Sequence, residues 1–340
     1  MTFIFRCNVG EKIGLGHLNR CRSLAYSLNK KGQDCLMVGP SKKYINNQDL
    51  KIFKKWIPKN KWKCSNEDSL NLIRIAKKNK KSFIILDDYR IDDKYQLNLK
   101  KAGLKWLQFF NSENSNIIWA DILHCSVPGI SLKKLKNFTL NKKAKFLLGP
   151  KYALLRPEFL KLKKKKINTI KKVILIFGGG YDFGAVEYLL SVLLPVTDND
   201  IKFTIVSGLL NQSNLKLKKL VNTKYKAQVN LHIDPKKITK IILENDMAIT
   251  AGGTTTYELD VCGLPMIIIS TATNQIEQSK AWSRYGRAKY LGNFKSIKKE
   301  LLKFVFKSFL NKNQKILQKK VLTRGNGSNR VAEFLINYKR

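Results

Sequence analysis

The stretch FIFRCNVGEKIGLGHLNRCRSLAYSLNKKGQDCLMV, residues 3–38, decides the fold. Phe3 to Arg6 reads as a short buried strand, and Gly14 and Gly16 break the chain soon after it. From there Leu18, Cys21, Leu24, Ala25 and Leu28 recur at helical spacing. Gly32 stops the helix, and Cys35 to Val38 supplies the next strand. Strand, helix and strand in this order make a βαβ unit, the building block of a parallel α/β sheet.

The alternation continues outward from this unit. Further strands are expected at Phe83 to Leu86, Trp106 to Phe109, Ile117 to Trp119 and Phe146 to Leu148. A second series has strands at Val173 to Phe177, Phe203 to Val206, Val229 to His232, Met247 to Thr250 and Met266 to Ile269, with helices beginning near Phe183, Pro235, Thr254 and Gln275. At 340 residues the chain exceeds what one hydrophobic core usually serves. The lysine-rich run after Pro157 is the best linker candidate, so the expected layout is a domain over 1–160, a linker over 161–172 and a second domain over 173–340. The fold class is α/β: two Rossmann-like, doubly wound domains facing across a cleft.

Composition narrows the function classes. Lys and Arg number 65 against 24 Asp and Glu, a formal charge of +41, which by itself points to a polyanion partner. The lysines, however, are spread over every exposed-looking segment (Lys77 to Lys81, Lys161 to Lys166, Lys216 to Lys219) and come with Asn and Ile instead of Arg and interleaved aromatics. The distribution reads as a solvated surface, and no specific nucleic-acid partner is expected. Six cysteines without CxxC pairs indicate neither a zinc site nor a disulfide framework. Apolar runs fall short of the ~18 residues of a membrane helix, and Thr2 to Phe5 followed by Arg6 is too short for the apolar region of a secretory signal. A cytoplasmic protein without membrane partner follows, read as a monomer.

Glycines that follow a strand and open a helix let backbone amides approach a phosphate. Three places fit: Gly14 and Gly16 before His17, Gly178 to Gly180 after the strand ending at Phe177, and Gly252 and Gly253 before the helix starting near Thr254. Ligands bind at such strand ends in open α/β sheets. None is a GxxxxGK[ST] loop, which disfavours ATP-driven phosphoryl transfer. Glu258, one turn into the last of these helices, suits either two ribose hydroxyls or a helix dipole. His17, at a helix N-terminus, suits either a neutral base or simple packing at a turn; His124 and His232 read as packing. Of Asp87, Asp88 and Tyr89, at least one is expected to reach the same place as His17. Arg20, one helical turn on from His17, is taken as a sugar contact. Asn274 and Gln275 offer amides for a sugar, with helix capping as the alternative for Asn274.

Together the segments FRCNVGEKIGLGHLNRC, DDYR at Asp87, LLGPKYALLRPEF at Leu147 and AGGTTTYELDVCGLPMIIISTATNQIEQ at Ala251 resemble the nucleotide-sugar hydrolase family of pseudaminic acid biosynthesis. The resemblance covers nearly the whole chain. It implies a GT-B fold and hydrolysis of a UDP-linked diacetamido-trideoxy sugar at its anomeric carbon. It also implies that His17 is the catalytic base, that Tyr89 matches the family's tyrosine and is a second catalytic residue, and that Asn274 contacts the sugar. On the same ground Gly252, Gly253, Thr254 and Glu258 bind UDP, while Gly16, Gly178 and Gly179 join them as phosphate-facing glycines. The loop GGGYDFG departs from the family's GGSD, and DILHCSVP at Asp121 lacks the asparagines expected there.

The resulting expectation is an inverting hydrolase in which His17 deprotonates a water that attacks C1, UDP leaving from the opposite side. No metal and no cofactor is expected, since helix N-termini serve the leaving diphosphate and no DxD-like motif stands out. The rivals are a GT-B glycosyltransferase using the same UDP site with a hydroxyl acceptor, and a nucleic-acid-binding protein.

Overall fold

A computed structural model describes residues 1–10, 13–58, 66–79, 81–88, 90–110, 117–160, 162, 167–311 and 320–338. The chain divides into two compact units. The first comprises Met1–Val9, His17–Pro157 and Asn326–Arg340; the second comprises Gly10–Gly16 and Glu158–Gly325. Both are parallel α/β assemblies, as the fold class requires.

The first unit holds a seven-stranded sheet of β1 (Thr2–Cys7), β2 (Asp34–Gly39), β3 (Lys55–Pro58), β4 (Ser82–Asp87), β5 (Trp106–Phe109), β6 (Ile122–Cys125) and β7 (Lys145–Leu148), in the order β3-β2-β1-β4-β5-β6-β7. Every pairing is parallel. The central strands are apolar on both faces because helices cover both. Phe3, Ile4 and Phe5 of β1 are fully buried, each contributing about 1.5–3 kcal/mol. Arg6 is buried beside them and is satisfied by Asp68, which it meets through Nε at 2.9 Å and which also accepts from the Tyr95 hydroxyl at 2.9 Å.

Two strands here differ from the sequence expectation. Instead of Ile117 to Trp119, where Ile118 makes only a lone bridge to Thr139, the strand is β6. Its apolar run is interrupted by His124, while Asp121 just before it accepts from the Trp106 amide at 3.0 Å and sets the strand start. The edge strand β3 was not expected at all, since KWIP is short and carries Lys and Pro.

The second unit holds a six-stranded parallel sheet of β8 (Lys172–Ile176), β9 (Lys202–Ser207), β10 (Val229–Ile233), β11 (Met247–Thr250), β12 (Met266–Ser270) and β13 (Ala288–Asn293), in the order β10-β9-β8-β11-β12-β13. Five of these coincide with the expected strands to within a residue or two at each end. The sixth, β13, is a weakly apolar edge strand, AKYLGN. The helices expected near Phe183, Pro235, Thr254 and Gln275 begin at Ala185, Ile238, Thr255 and Ile276. An additional helix, Asn214–Lys224, escaped the pattern because lysines crowd it and only Leu217 and Val221 turn inward.

Of the expected linker, residues 161 and 163–166 lie outside the described set, while Ile167 and Ile170 are buried in the core of the second unit and Lys172 already opens β8. A domain running from residue 173 to the C-terminus does not describe the second unit, because the helix Gly327–Tyr338 belongs to the first. The contacts are specific. A Cβ at Gly327 would overlap the Ala153 carbonyl, so the helix start seats there only as glycine. Ser328 donates to the Leu155 carbonyl at 3.2 Å, Lys31 pairs with Glu333 at 2.9 Å, and the Tyr338 ring meets Phe83 edge-on at 6.3 Å.

Candidate active site

In the first sheet β1 and β4 are neighbours whose onward connections run to opposite sides, which makes the gap at their C-terminal ends a topological switch point, the usual ligand position in this kind of sheet. The register pairs Cys7 with Asp87, so the last residue of β4 lies beside the end of β1. The helix Gly16–Asn29 starts here, and His17, Arg20 and Cys21 fall on one of its faces at i, i+3 and i+4. All three converge on Asp87. His17 Nδ1 lies 2.7 Å from Asp87 Oδ1, Arg20 Nε donates to Oδ2 at 2.6 Å, Arg20 Nη2 donates to Oδ1 at 2.5 Å, and Cys21 Sγ is 3.8 Å from Oδ2.

Asp87 is fully buried and His17 nearly so. Burial alone would raise the Asp87 carboxyl, but the Arg20 charge and then His17, with their hydrogen bonds, outweigh it and hold the group well below the usual carboxylate range. The carboxylate is therefore ionised and can only accept. Burial pushes the Cys21 thiol well up, which keeps it protonated against the carboxylate. The guanidinium of Arg20 also lies over the Phe109 ring at 4.7 Å, and that ring packs on His124 at 4.8 Å. His124 is buried and pushed down to about 4, by burial above all, and its Nε2 donates to the Tyr152 carbonyl at 2.8 Å. It packs, as its sequence reading expects. Asp88 turns the other way and holds Arg90 at 2.9 Å. Tyr89 lies outside the described residues.

The second sheet has its own switch point between β8 and β11. Here the residues are glycines. Gly178 follows β8 with φ +91°, a conformation that side chains disfavour. A Cβ on Gly208, just past β9, would run into the Gly179 backbone, and one on Gly252 would run into the Ser279 hydroxyl and the Gln275 carbonyl. The turn Gly10–Gly16 belongs to this unit: a Cβ built on Gly14 would lie 3.3 Å from the Gly180 amide, and one on Gly16 would lie 3.8 Å from Thr254 Oγ1. The glycines that the sequence singles out at 16, 178, 179, 252 and 253 are thus gathered in one unit. So are Thr254 and Glu258, the latter half-buried in the first turn of the helix Thr255–Cys262.

The turn at Gly252 is held from behind. Gln278 donates to the Gly252 and Gly253 carbonyls at 2.9 and 2.8 Å and accepts from the Tyr257 hydroxyl at 3.0 Å, while Thr256 donates to the Gly253 carbonyl at 2.7 Å. With those carbonyls tied back, the amides that open the helix are the groups a diphosphate would meet. Asn274 is exposed and does not cap the next helix, whose N-cap is Gln275. Gln275 accepts from the Thr271 amide at 2.9 Å, which commits its oxygen to the loop.

Gly208 and Gln278 were not singled out in the sequence. A strand ending in Ser-Gly carries the only signal for the first, and nothing local distinguishes the second from a solvated helix residue. Arg20, expected at the sugar, spends two donors on Asp87. Among the described residues no cluster of His, Cys, Asp or Glu could hold a metal ion, and no helix is long and apolar enough to cross a membrane.

Two doubly wound parallel sheets define the class, a pair of Rossmann-like units of the GT-B kind. Solved structures agree: over 99% of both chains it superposes on MurG of Acinetobacter baumannii with TM-score 0.66 at 13% identity. It matches the UDP complex of Staphylococcus aureus MnaA with TM-score 0.67 at 11% identity, covering 99% of this chain and 96% of that one. No family model matches the chain. In sequence it is 24% identical over 282 residues to the Helicobacter pylori pseudaminic acid cytidylyltransferase and UDP-2,4-diacetamido-2,4,6-trideoxy-beta-L-altropyranose hydrolase, covering 82% of this chain and 46% of that one. It is 22% identical over 293 residues to the Bacillus subtilis spore coat polysaccharide biosynthesis protein SpsG, covering 83% and 81%. An uncharacterized protein of Methanocaldococcus jannaschii is 27% identical over 267 residues, covering 76% and 53%. The chain spans about half the length of the first two curated relatives it matches. Within the GT-B class, it is therefore similar to the pseudaminic acid hydrolases that its motifs resemble and to their spore coat relative.

Proposed function

We propose that the chain hydrolyses a UDP-linked diacetamido-trideoxy sugar with inversion, His17 serving as the base. The observation that carries this reading is the buried pair of His17 and Asp87 at 2.7 Å, at the switch point of the first sheet. In the proposed step His17 takes a proton from water, the water oxygen bonds to C1, the bond from C1 to the diphosphate oxygen breaks, and UDP leaves with the electron pair. UDP is assigned to the glycine turns of the second unit, with Glu258 at the ribose and the amides of Gly252, Gly253 and Thr254 at the diphosphate. Tyr89 enters this reading as a catalytic residue and Asn274 as a sugar-side residue by resemblance alone.

The second reading is a glycosyltransferase in which the same base serves a hydroxyl acceptor; the likeness in fold to MurG favours it. The test is an NMR time course of the purified protein with UDP-diacetamido sugars and no acceptor. Release of UDP with the free sugar of inverted anomeric configuration is expected, and UDP release only on adding an acceptor would replace hydrolysis with transfer.

A further inference from the structure

An ionised carboxylate has no hydrogen to give, so the contact of 2.7 Å between Asp87 Oδ1 and His17 Nδ1 exists only if Nδ1 carries the hydrogen. A neutral ring protonated at Nδ1 has its lone pair at Nε2. What keeps Asp87 ionised and correctly turned is Arg20, whose fork engages both carboxylate oxygens, at 2.6 and 2.5 Å, and whose plane rests on Phe109 at 4.7 Å. The charges of Arg20 and Asp87 cancel, so the trio is neutral when the imidazole is. Arg20 Nη2 also lies 3.2 Å from His17 Nδ1, but it donates to Asp87 Oδ1 at 2.5 Å, and a donor-only guanidinium cannot accept the Nδ1 hydrogen, which leaves Asp87 as its acceptor.

We propose that Arg20 and Asp87 are a positioning pair that fixes His17 in the Nδ1-protonated tautomer and so makes Nε2 its basic nitrogen. The inference rests on the reading of His17 as the base. It moves Arg20 from the sugar, where its place in the sequence put it, to the support of the histidine ring, and it gives a role to an aspartate that strand-end position alone left undistinguished from Asp88. Phe109 is part of the same support, since it fixes the plane of the guanidinium.

The experiment is nitrogen NMR of protein labelled with 15N at histidine. The chain has three histidines, and the spectrum of the His17→Asn variant identifies the His17 signals. The wild type is expected to show a protonated Nδ1 and a bare Nε2. In Asp87→Asn the amide group can face Nδ1 as a donor, so the other tautomer should become populated. The kcat of that variant should fall on the order of 10²- to 10⁴-fold by analogy with orienting aspartates elsewhere, with KM and UDP affinity within about twofold. Arg20→Lys keeps the charge but not the fork, so it should give a mixture of tautomers and a kcat roughly tenfold lower; it also keeps the test decisive should Asp87→Asn fail to fold.

A wild-type ring protonated at Nε2 would overturn the proposal, as would an Asp87→Asn ring with wild-type tautomer and kcat. Unchanged tautomer and kcat in Arg20→Lys would remove Arg20 from the pair. If the spectra behave as expected but no UDP-sugar is turned over, the positioning pair stands and the hydrolase reading fails; turnover with the wrong tautomer separates the two the other way.

Discussion

At the switch point of the first unit, side chains that carry or exchange charge close on one another, whereas the same topological position in the second unit is filled by backbone. Asp87 gathers Arg20, His17 and Cys21 around one carboxylate; Gly208 lets its loop approach the Gly179 backbone, and Gly252 leaves room for the Ser279 hydroxyl and the Gln275 carbonyl. The strand order around each gap is the same, apart from one more strand on the first sheet. The fold therefore supplies a position and not a chemistry. Charged side chains gather at the end of β4, whereas glycines follow β8 and β11; the proposed function divides its work along that line, proton transfer at the first and anion binding at the second.

The strongest way to break this division of labour is His17→Asn. It retains polarity and approximate size but has no basic nitrogen, so turnover should fall by roughly 10²- to 10⁴-fold while calorimetry finds UDP affinity unchanged. A parallel loss of both would mean that the two switch points do not divide the work.

A next test uses His124, which underlies the first switch point. Its folded-state value near 4 lies below the ordinary 6.5, so between these the unfolded chain binds more protons. Stability should then be intact above pH 6.5 and decline as pH falls toward 4, by about 3 kcal/mol in all from this one residue. Urea unfolding at pH 7, 6 and 5 reads the slope, and His124→Gln should flatten it. An unchanged slope would assign the acid sensitivity to other groups.

For the second switch point, Glu258→Ala should weaken UDP binding by about 1 to 3 kcal/mol through loss of a charged acceptor, with the NMR tautomer of His17 unmoved. Calorimetry showing equal affinity would leave Glu258 a structural residue. The smallest effect is expected at Gly16→Ala, whose new methyl meets only ordinary contact with Thr254. Its stability should stay within about 0.5 kcal/mol of wild type, whereas Gly252→Ala, which would collide with Ser279 and Gln275, should lose about 1–3 kcal/mol. Thermal unfolding of the two variants side by side distinguishes a glycine needed for packing from one whose place has room for a methyl group.

Much of the fold was legible because fully buried parallel strands write themselves as unbroken apolar runs, as in FIILD before Asp88 and MIIIS before Thr271. Edge strands β3 and β13 did not, since one open side relaxes the demand for apolar residues. In the site, His17 stood out because it opens a helix after two glycines, and Asp87 only as one of the three residues Asp87, Asp88 and Tyr89 that follow such a run. Which of those three partners with Arg20 was not legible, because it depends on the register that brings Cys7 beside Asp87, a tertiary fact with no local sequence signature. Gly208 was opaque for the same reason: only the approach of Gly179 explains it.

The return of the helix Gly327–Tyr338 to the first unit carries a kinetic consequence. The hydrogen bond from Ser328 to Leu155 joins residues 173 positions apart, so the first unit is a discontinuous body with the second inserted between its pieces. Closing so long a stretch of unfolded chain is entropically costly, and contacts of such separation form slowly. During synthesis the sheet β1 to β7 emerges early but waits for Gly327 to seat on Ala153, while the intervening unit has most of its own residues together first. Order of completion should thus run against order of emergence: the unit that carries the glycine turns matures before the one that holds the histidine.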